Sequence, residues 1–286
     1  MTKPVSSRDA ALLLGPPYDR LTPVDLAGPV PPFAGGWVVA WNLGSRHWAS
    51  ASDFVVNRAA GVSLAVILPE DYDHLPVIRL LRMIEQSRPQ AVLPFHETPR
   101  PHEIASVIRR PPVNLASSVA EYLDWRGFAV DPVTRSILRR TVELSARVRT
   151  ISGLARNLYL SRRALGRRFL KSRIPVPSHW LQISRILRAT IKLQNSDGTL
   201  FNVACSLGYP DGFSLSNQMQ RLCGLRPLEV RDLAGWEWVF ETWIQREAEM
   251  GSIAPAVLNS RPSIAVERRS REGTEDRADR TRAATV

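Results

Sequence analysis

Two stretches of this 286-residue chain repeat one apolar pattern: ISGLARNLYLSRRALGRRFL at residues 151–170 and LFNVACSLGYPDGFSLSNQM at residues 200–219. The residues at the i, i+3, i+4, i+7 spacing of one helix face are Ile151, Leu154, Ala155 and Leu158, and then Leu200, Val203, Ala204 and Leu207. After a short break, each stretch continues into a helix with two apolar anchors, which are Leu165 and Phe169, and then Leu215 and Met219. Because a small alanine lets two helices cross closely, we predict two helix-turn-helix units in tandem.

With their surroundings, these patterns resemble the DNA-binding module of AraC/XylS-type transcription regulators. The residues that carry the resemblance are Leu154-Ala155, residues 160–169, Pro177, Arg185, Ala189, Ala204, Gly208-Tyr209, Gly224, Pro227 and Arg231, over roughly a third of the chain. The resemblance implies a sequence-specific transcription regulator that is not an enzyme and that binds double-stranded promoter or operator DNA. Two such units read successive major grooves. RNA polymerase and a second copy of the chain, forming a homodimer, are further candidate partners.

The second unit departs from the usual pattern of this family. Phe213, Leu215, Asn217 and Met219 stand where serine, phenylalanine, arginine and phenylalanine are usual, and Ile174 replaces a glycine between the units. These departures leave an alternative open, in which the protein is a protein-interaction adaptor whose DNA-binding module has decayed.

The candidate DNA-binding residues of the first unit are Ser161, Arg162, Arg163, Gly166, Arg167, Arg168 and Lys171. Arg163 and Arg167 lie four residues apart on one helix face, and an arginine can donate two hydrogen bonds to guanine O6 and N7. Gly166 between them permits a close approach to the groove. Arg162, Arg168 and Lys171 lie towards the sides of the helix, where they suit phosphates.

The candidates of the second unit are Ser214, Asn217, Gln218 and Arg221, with Asp211 as the predicted helix cap. Asparagine and glutamine can each pair with adenine through two hydrogen bonds. This unit offers less positive charge than the first, so we expect the first unit to contribute more of the sequence specificity.

The positive charge is concentrated on the segment that holds both units. Residues 1–132 have a net charge of −1, residues 133–245 have +11, and residues 246–286 have +1. A basic charge confined to one module is typical of a polyanion-binding protein. No stretch of about 18 apolar residues occurs, so we expect no membrane partner.

The residues before this module predict a small α/β domain at 37–131, which senses a signal or contacts another protein. Apolar runs at 37–41, 62–68 and 91–95 predict strands, and residues 76–87, 101–110 and 116–126 predict helices. Strand–helix alternation favours a parallel sheet of the receiver or flavodoxin-like kind. Residues 1–36, rich in proline and glycine, predict a mostly irregular lead-in. The effector is unknown.

No enzyme, metal or cofactor site is predicted. The third strand lacks the aspartate that a phosphorylated receiver needs, and Glu70, Asp71 and Asp73 indicate a solvated loop. His96 and His102, with Glu97 and Glu103, have no fixed geometry for a metal. An alkylation-repair enzyme needs a nucleophilic cysteine outside the module, yet Cys205 and Cys223 both lie inside it. Such sparse cysteine usage fits a reducing cytoplasm.

Three further features complete the predicted DNA-binding domain at 132–245. A long helix at 179–194, capped by Ser178, links the two units. Trp236, Phe240 and Trp243 lie at helical spacing and predict a closing helix that packs on the module. Beyond about Gly251 the chain loses this periodicity, and we predict a disordered, charged tail at residues 246–286.

Overall fold

The computed structural model describes residues 9–27, 33–69, 76–94, 100–258 and 261–262. Some of the sequence predictions concern residues outside these ranges. They concern the acidic loop of Glu70, Asp71 and Asp73, the His96-Glu97 pair, and residues 263–286 of the charged tail.

The N-terminal region is built on a five-stranded mixed sheet. The strands in chain order are β1 (Ala11–Leu14), β2 (Thr22–Pro23), β3 (Val38–Asn42), β4 (Ser63–Ile67) and β5 (Ala91–Leu93). Their order in the sheet is β2-β1-β3-β4-β5. Strands β3, β4 and β5 are parallel, whereas β1 is antiparallel to both β2 and β3.

Helices cover both faces of this sheet, which explains why its central strands β3 and β4 are buried along their whole length. The helices of this region are α1 (Ser52–Val56), α2 (Val77–Ser87), α3 (Pro101–Arg109) and α4 (Leu115–Arg126). Val39 of β3 joins the large core that contains Leu80 of α2, whereas Val38 joins a smaller core that contains Ile104 of α3. The three predicted strands and three predicted helices agree with β3 to β5 and α2 to α4 within one or two residues.

Two N-terminal predictions were wrong. The lead-in at 1–36 is not irregular throughout, because β1 lies inside the sheet and all four of its residues are buried. The sheet is mixed and not wholly parallel. Strand β1 is a run of only four apolar residues, and so short a run indicates neither a strand nor its direction.

The remainder of the described chain is helical. Its helices are α5 (Pro132–Leu144), α6 (Ile151–Asn157), α7 (Arg162–Lys171), α8 (Pro177–Asn195), α9 (Leu200–Ser206), α10 (Gly212–Cys223), α11 (Pro227–Asp232) and α12 (Glu237–Glu249). Helix α8 was predicted at 179–194 with Ser178 as its cap. Its cap is instead Val176, because Pro177 occupies the first helical position, where its missing N–H costs nothing.

Helix α12 packs its aromatic side chains against the linker helix α8. Trp236, Phe240 and Trp243 are all buried, as the predicted closing helix requires. The ring of Trp180 on α8 meets the ring of Trp243 edge-on at 4.8 Å, and Phe240 stacks on Trp243 at 5.7 Å. Aromatic pairs in these geometries add stability beyond the area that they bury.

The same helix is joined to the N-terminal region through buried carboxylates. Glu237 accepts hydrogen bonds from Arg88 and Gln90, both at 2.7 Å. Glu241 accepts one from the Tyr122 hydroxyl at 2.7 Å, and the Arg126 Nε donates to the same carboxylate at 3.1 Å. The helix therefore contacts α8 through aromatic rings and the N-terminal region through buried carboxylates.

The chain also continues in ordered structure past the boundary predicted at residue 245. Helix α12 ends at Glu249, and Ile253 and Val257 beyond it are buried. The Ala129 amide donates to the Val257 carbonyl at 2.8 Å, and this hydrogen bond links the segment to the residues that follow α4. A disordered tail from residue 246 was therefore the wrong prediction for residues 246–258.

Candidate nucleic-acid interface

Helices α6 and α7 form the first helix pair, and side-chain caps fix its geometry. The Ser161 hydroxyl accepts the Ala164 amide at 3.1 Å and so begins α7. In the turn between the helices, Tyr159 has a φ of 54° and the Leu160 amide donates to the Ala155 carbonyl at 2.9 Å. The anchors Leu165 and Phe169 are buried, as predicted.

Helices α9 and α10 form a second pair with the same construction. The Asp211 carboxylate accepts the Ser214 amide at 2.7 Å, as the predicted cap requires, and this bond lowers the pKa of Asp211. Gly208 takes the left-handed turn position with a φ of 75°, and the Tyr209 amide donates to the Ala204 carbonyl at 3.0 Å. Leu215 and Met219 are buried. The matched caps and turns allow the two pairs to be compared position by position.

The outer face of α7 is basic and accessible. Four of the predicted side chains on it are exposed to solvent: Arg162, Arg163, Arg167 and Lys171. A Cβ atom added at Gly166 would meet no atom within 4 Å. Arg163 and Arg167 therefore flank a smooth, open surface.

Arg168 lies to the side of this face and contacts helix α5. Its Nη1 atom pairs with the Asp131 carboxylate at 3.2 Å. A hydrogen bond from the Thr134 hydroxyl is the main cause that lowers the pKa of Asp131, so the carboxylate stays charged near neutral pH. The predicted phosphate contact of Arg168 must therefore compete with a carboxylate of its own chain.

Helix α10 presents fewer free polar groups than predicted. Asn217 is exposed, but Gln218 is half-buried and accepts a hydrogen bond from the Tyr209 hydroxyl. Ser214 is half-buried beside its capping partner, Asp211. Arg221 is exposed and donates to Gln182 of α8 at 3.2 Å. Of the four predicted residues, Asn217 has the clearest access to a ligand.

One residue of this surface was missed in the sequence. Phe213 is 75% exposed, although phenylalanine is an apolar residue. It is the second residue after the cap Asp211, as Arg163 is the second residue after the cap Ser161. Aligning the two caps along the sequence would have shown this equivalence.

Two basic side chains of α8 contact the second helix pair. Arg185 donates to the Leu207 carbonyl at 3.0 Å, and its guanidinium lies 4.2 Å from the centre of the Tyr209 ring. Lys192 donates to the Ser206 hydroxyl at 2.8 Å. At 1.5 Å per residue, this helix of 19 residues is about 28 Å long. It is a rigid connection between the two pairs.

The departure at Ile174 has a local explanation. Arg173, one residue earlier, takes the left-handed position with a φ of 53°. The Arg173 and Ile174 amides donate to the carbonyls of Leu170 and Phe169, which is the Schellman pattern of a helix end. Ile174 is buried. The turn therefore tolerates an apolar side chain at this position.

Metal-binding groups and membrane-spanning helices are lacking in the described part of the chain. Within residues 9–27, 33–69, 76–94, 100–258 and 261–262, no group of three His, Cys, Asp or Glu side chains is arranged to hold a metal. Over the same residues, no helix has the length and apolar character that crossing a membrane requires. Cys205 is exposed, whereas burial raises the pKa of Cys223 to about 12.

A family model agrees with the assignment of the two helix pairs. Residues 154–232 match a family model described as a helix-turn-helix domain. A transcriptional regulator with an AraC-type DNA-binding domain from Chromobacterium violaceum is 24% identical and has a TM-score of 0.32. The match covers 35% of this chain and 94% of that one.

The xylose-binding transcription activator xylR is 10% identical and has a TM-score of 0.33, with 67% of this chain and 59% of that chain covered. At such TM-scores, neither likeness informs the arrangement of the whole chain. The comparison with curated proteins gives no match. The family model spans both helix pairs, from Leu154 in α6 to Asp232 in α11. Residues 154–232 of this chain are a helix-turn-helix domain, and they are similar to the AraC-type domains of transcription regulators.

Proposed function

We propose that this protein is a transcription regulator that binds double-stranded DNA in a sequence-specific manner and reads successive major grooves with α7 and α10. The observation that carries the proposal is the outer face of α7. Arg163 and Arg167 are exposed there, one helical turn apart, with an open surface at Gly166 between them. Arginines on such a helix can reach guanine edges in the major groove.

Gly166 adds a physical argument for a partner outside the chain. Glycine destabilises a helix interior by roughly 1 kcal/mol relative to alanine. No neighbour in the described residues would clash with a larger side chain at this position. The absence of a side chain is explained if another molecule lies against this face, as the floor of a DNA groove would.

The proposal includes regulation by the N-terminal region through α12. This helix packs on α8 of the DNA-binding region and also holds Arg88, Gln90 and Arg126 of the N-terminal region through its carboxylates. An open cavity of about 470 Å³, lined in part by Arg88, Gln90 and Glu237, borders this contact. Its volume lies in the range of small-molecule sites, so an effector there would act directly on α12.

Selection from a random pool tests the proposal. Full-length protein is mixed with random duplexes, and the bound fraction is amplified and sequenced over several rounds. We expect one motif with two short half-sites, because two reading helices joined by α8 contact separate groove segments. Enrichment of no motif from a folded protein would rule out sequence-specific binding. A motif with two-fold symmetry would additionally indicate a homodimer.

A further inference from the structure

The exposed aromatic ring of Phe213 points to a way in which α10 reads DNA differently from α7. We propose that Phe213 contacts the C5-methyl group of a thymine in the major groove, and that α10 thereby selects A·T base pairs. This inference rests on the proposed function, since it names the bases that the second helix pair would read.

The position of Phe213 is fixed by the matched construction of the two helix pairs. Phe213 and Arg163 each follow their helix cap by two residues, and each precedes a buried leucine by two residues. Residues near the start of such a helix are the ones that reach base edges. The side chain therefore lies where α7 carries its first candidate guanine reader.

The fold itself gives no reason for an aromatic side chain at this position. Phe213 is 75% exposed, while Leu215 and Met219 on the opposite face are fully buried. Covering so large an exposed apolar side chain with a partner surface would be favourable in water. The neighbouring Phe201 of α9 is exposed as well.

The chemistry of the surrounding residues favours DNA as that partner. Asn217 is exposed one turn after Phe213, and its amide can pair with adenine N6 and N7. A thymine methyl is the base group that phenylalanine contacts in the major groove. Positions four apart on a helix are about 6 Å apart, close to the rise of two base pairs. The exposed Arg226 nearby suits a phosphate.

Replacing thymine by deoxyuridine tests this contact, because the change removes only the C5-methyl group. Each thymine of a duplex selected from a random pool is replaced singly, and the affinity of the full-length protein is measured. At one thymine of the half-site read by α10, the wild-type protein is expected to lose about fourfold in affinity, the value for one buried carbon. Phe213→Ala is expected to bind both duplexes equally.

Two variants serve as controls. Arg163→Ala, at the equivalent position of α7, is expected to keep the fourfold effect at that thymine. Phe213→Leu, which keeps an apolar side chain, is expected to retain about half of the effect on a logarithmic scale. Because Phe213 is exposed, circular dichroism is expected to show unchanged folding. If Phe213→Ala binds too weakly at one salt concentration, the comparison is made at a lower one, where binding is tighter.

A Phe213→Ala protein that still loses fourfold on deoxyuridine substitution would overturn the inference. A wild-type protein that responds to none of the thymines would overturn it as well, and so would a Phe213→Ala protein whose affinity for the selected duplex is unchanged. These outcomes differ from a failure of the proposed function, in which no DNA motif would be enriched from the random pool.

Discussion

Replacing Glu241 with alanine is expected to lower the free energy of unfolding by about 3–5 kcal/mol. The Glu241 carboxylate is fully buried and accepts hydrogen bonds from Tyr122 and Arg126, which are buried too. The change leaves the guanidinium of Arg126 in the core without the carboxylate that faces it. Chemical denaturation, followed by far-ultraviolet circular dichroism, measures the loss.

Two further variants show whether the loss of stability comes from the charge of Arg126 in the absence of the Glu241 carboxylate. Glu249→Ala removes an exposed carboxylate from the end of the same helix and is expected to change stability by less than about 0.5 kcal/mol. A double variant, Arg126→Met with Glu241→Met, removes both charges and is expected to be more stable than Glu241→Ala. A loss below about 1 kcal/mol for Glu241→Ala would show that this contact does not hold α12 to the N-terminal region.

Replacing Arg163 or Arg167 with alanine is expected to reduce discrimination at one or two base pairs, mainly guanines, by about 5- to 150-fold. Each arginine is exposed on the open face of α7, where a guanine edge can receive two hydrogen bonds from one side chain. Affinities for the selected site and its single-base substitutions, measured by fluorescence anisotropy, test this expectation.

Arg168→Ala is the matched control, since it removes the same charge from the same helix. Arg168 lies at the side of the helix, where it suits a phosphate, so its loss is expected to weaken all sequences alike, without changing base preference. Asn217→Ala is expected to cost less specificity than either arginine change. A larger loss of discrimination for Asn217→Ala than for both arginine variants would mean that α10 is the main reading helix.

The strongly periodic parts of the sequence predicted the structure best. The central pairs of both stripes, Leu154-Ala155 and Val203-Ala204, are buried in the structure, and so are the anchors Leu165, Phe169, Leu215 and Met219. The buried face of each helix follows from the helical spacing of its apolar residues, so it can be predicted without knowledge of the tertiary structure. The aromatic spacing of α12 predicted a buried face for the same reason.

Strand β1 and the end of the chain were missed because their order depends on distant partners. Strand β1 is stabilised by pairing with β3, from which it is separated by a proline-rich segment. Val257 is ordered by its contact with Ala129. Strand β3 and Ala129 are both distant in sequence from the segments that they order. A prediction from local composition therefore gave irregular structure for both segments.

Some of the predicted site residues are free to contact a ligand, whereas others are bonded to side chains of this chain. Sequence spacing placed Arg163, Arg167 and Asn217 on outer helix faces, where the structure has them exposed. It did not show that Gln218 bonds to Tyr209 or that Arg168 pairs with Asp131. Those contacts arise from the packing of other helices, and spacing within one helix carries no information about them.

The dependence of DNA affinity on salt is the most direct test of the central claim. The affinity of the full-length protein for its selected duplex and for a scrambled duplex is measured at about 50 and 200 mM salt. A DNA-reading protein with this basic face is expected to lose about a thousandfold in affinity between these concentrations. It is also expected to prefer the selected duplex by about a thousandfold or more. Equal, salt-insensitive binding to both duplexes, or no binding, would contradict the account.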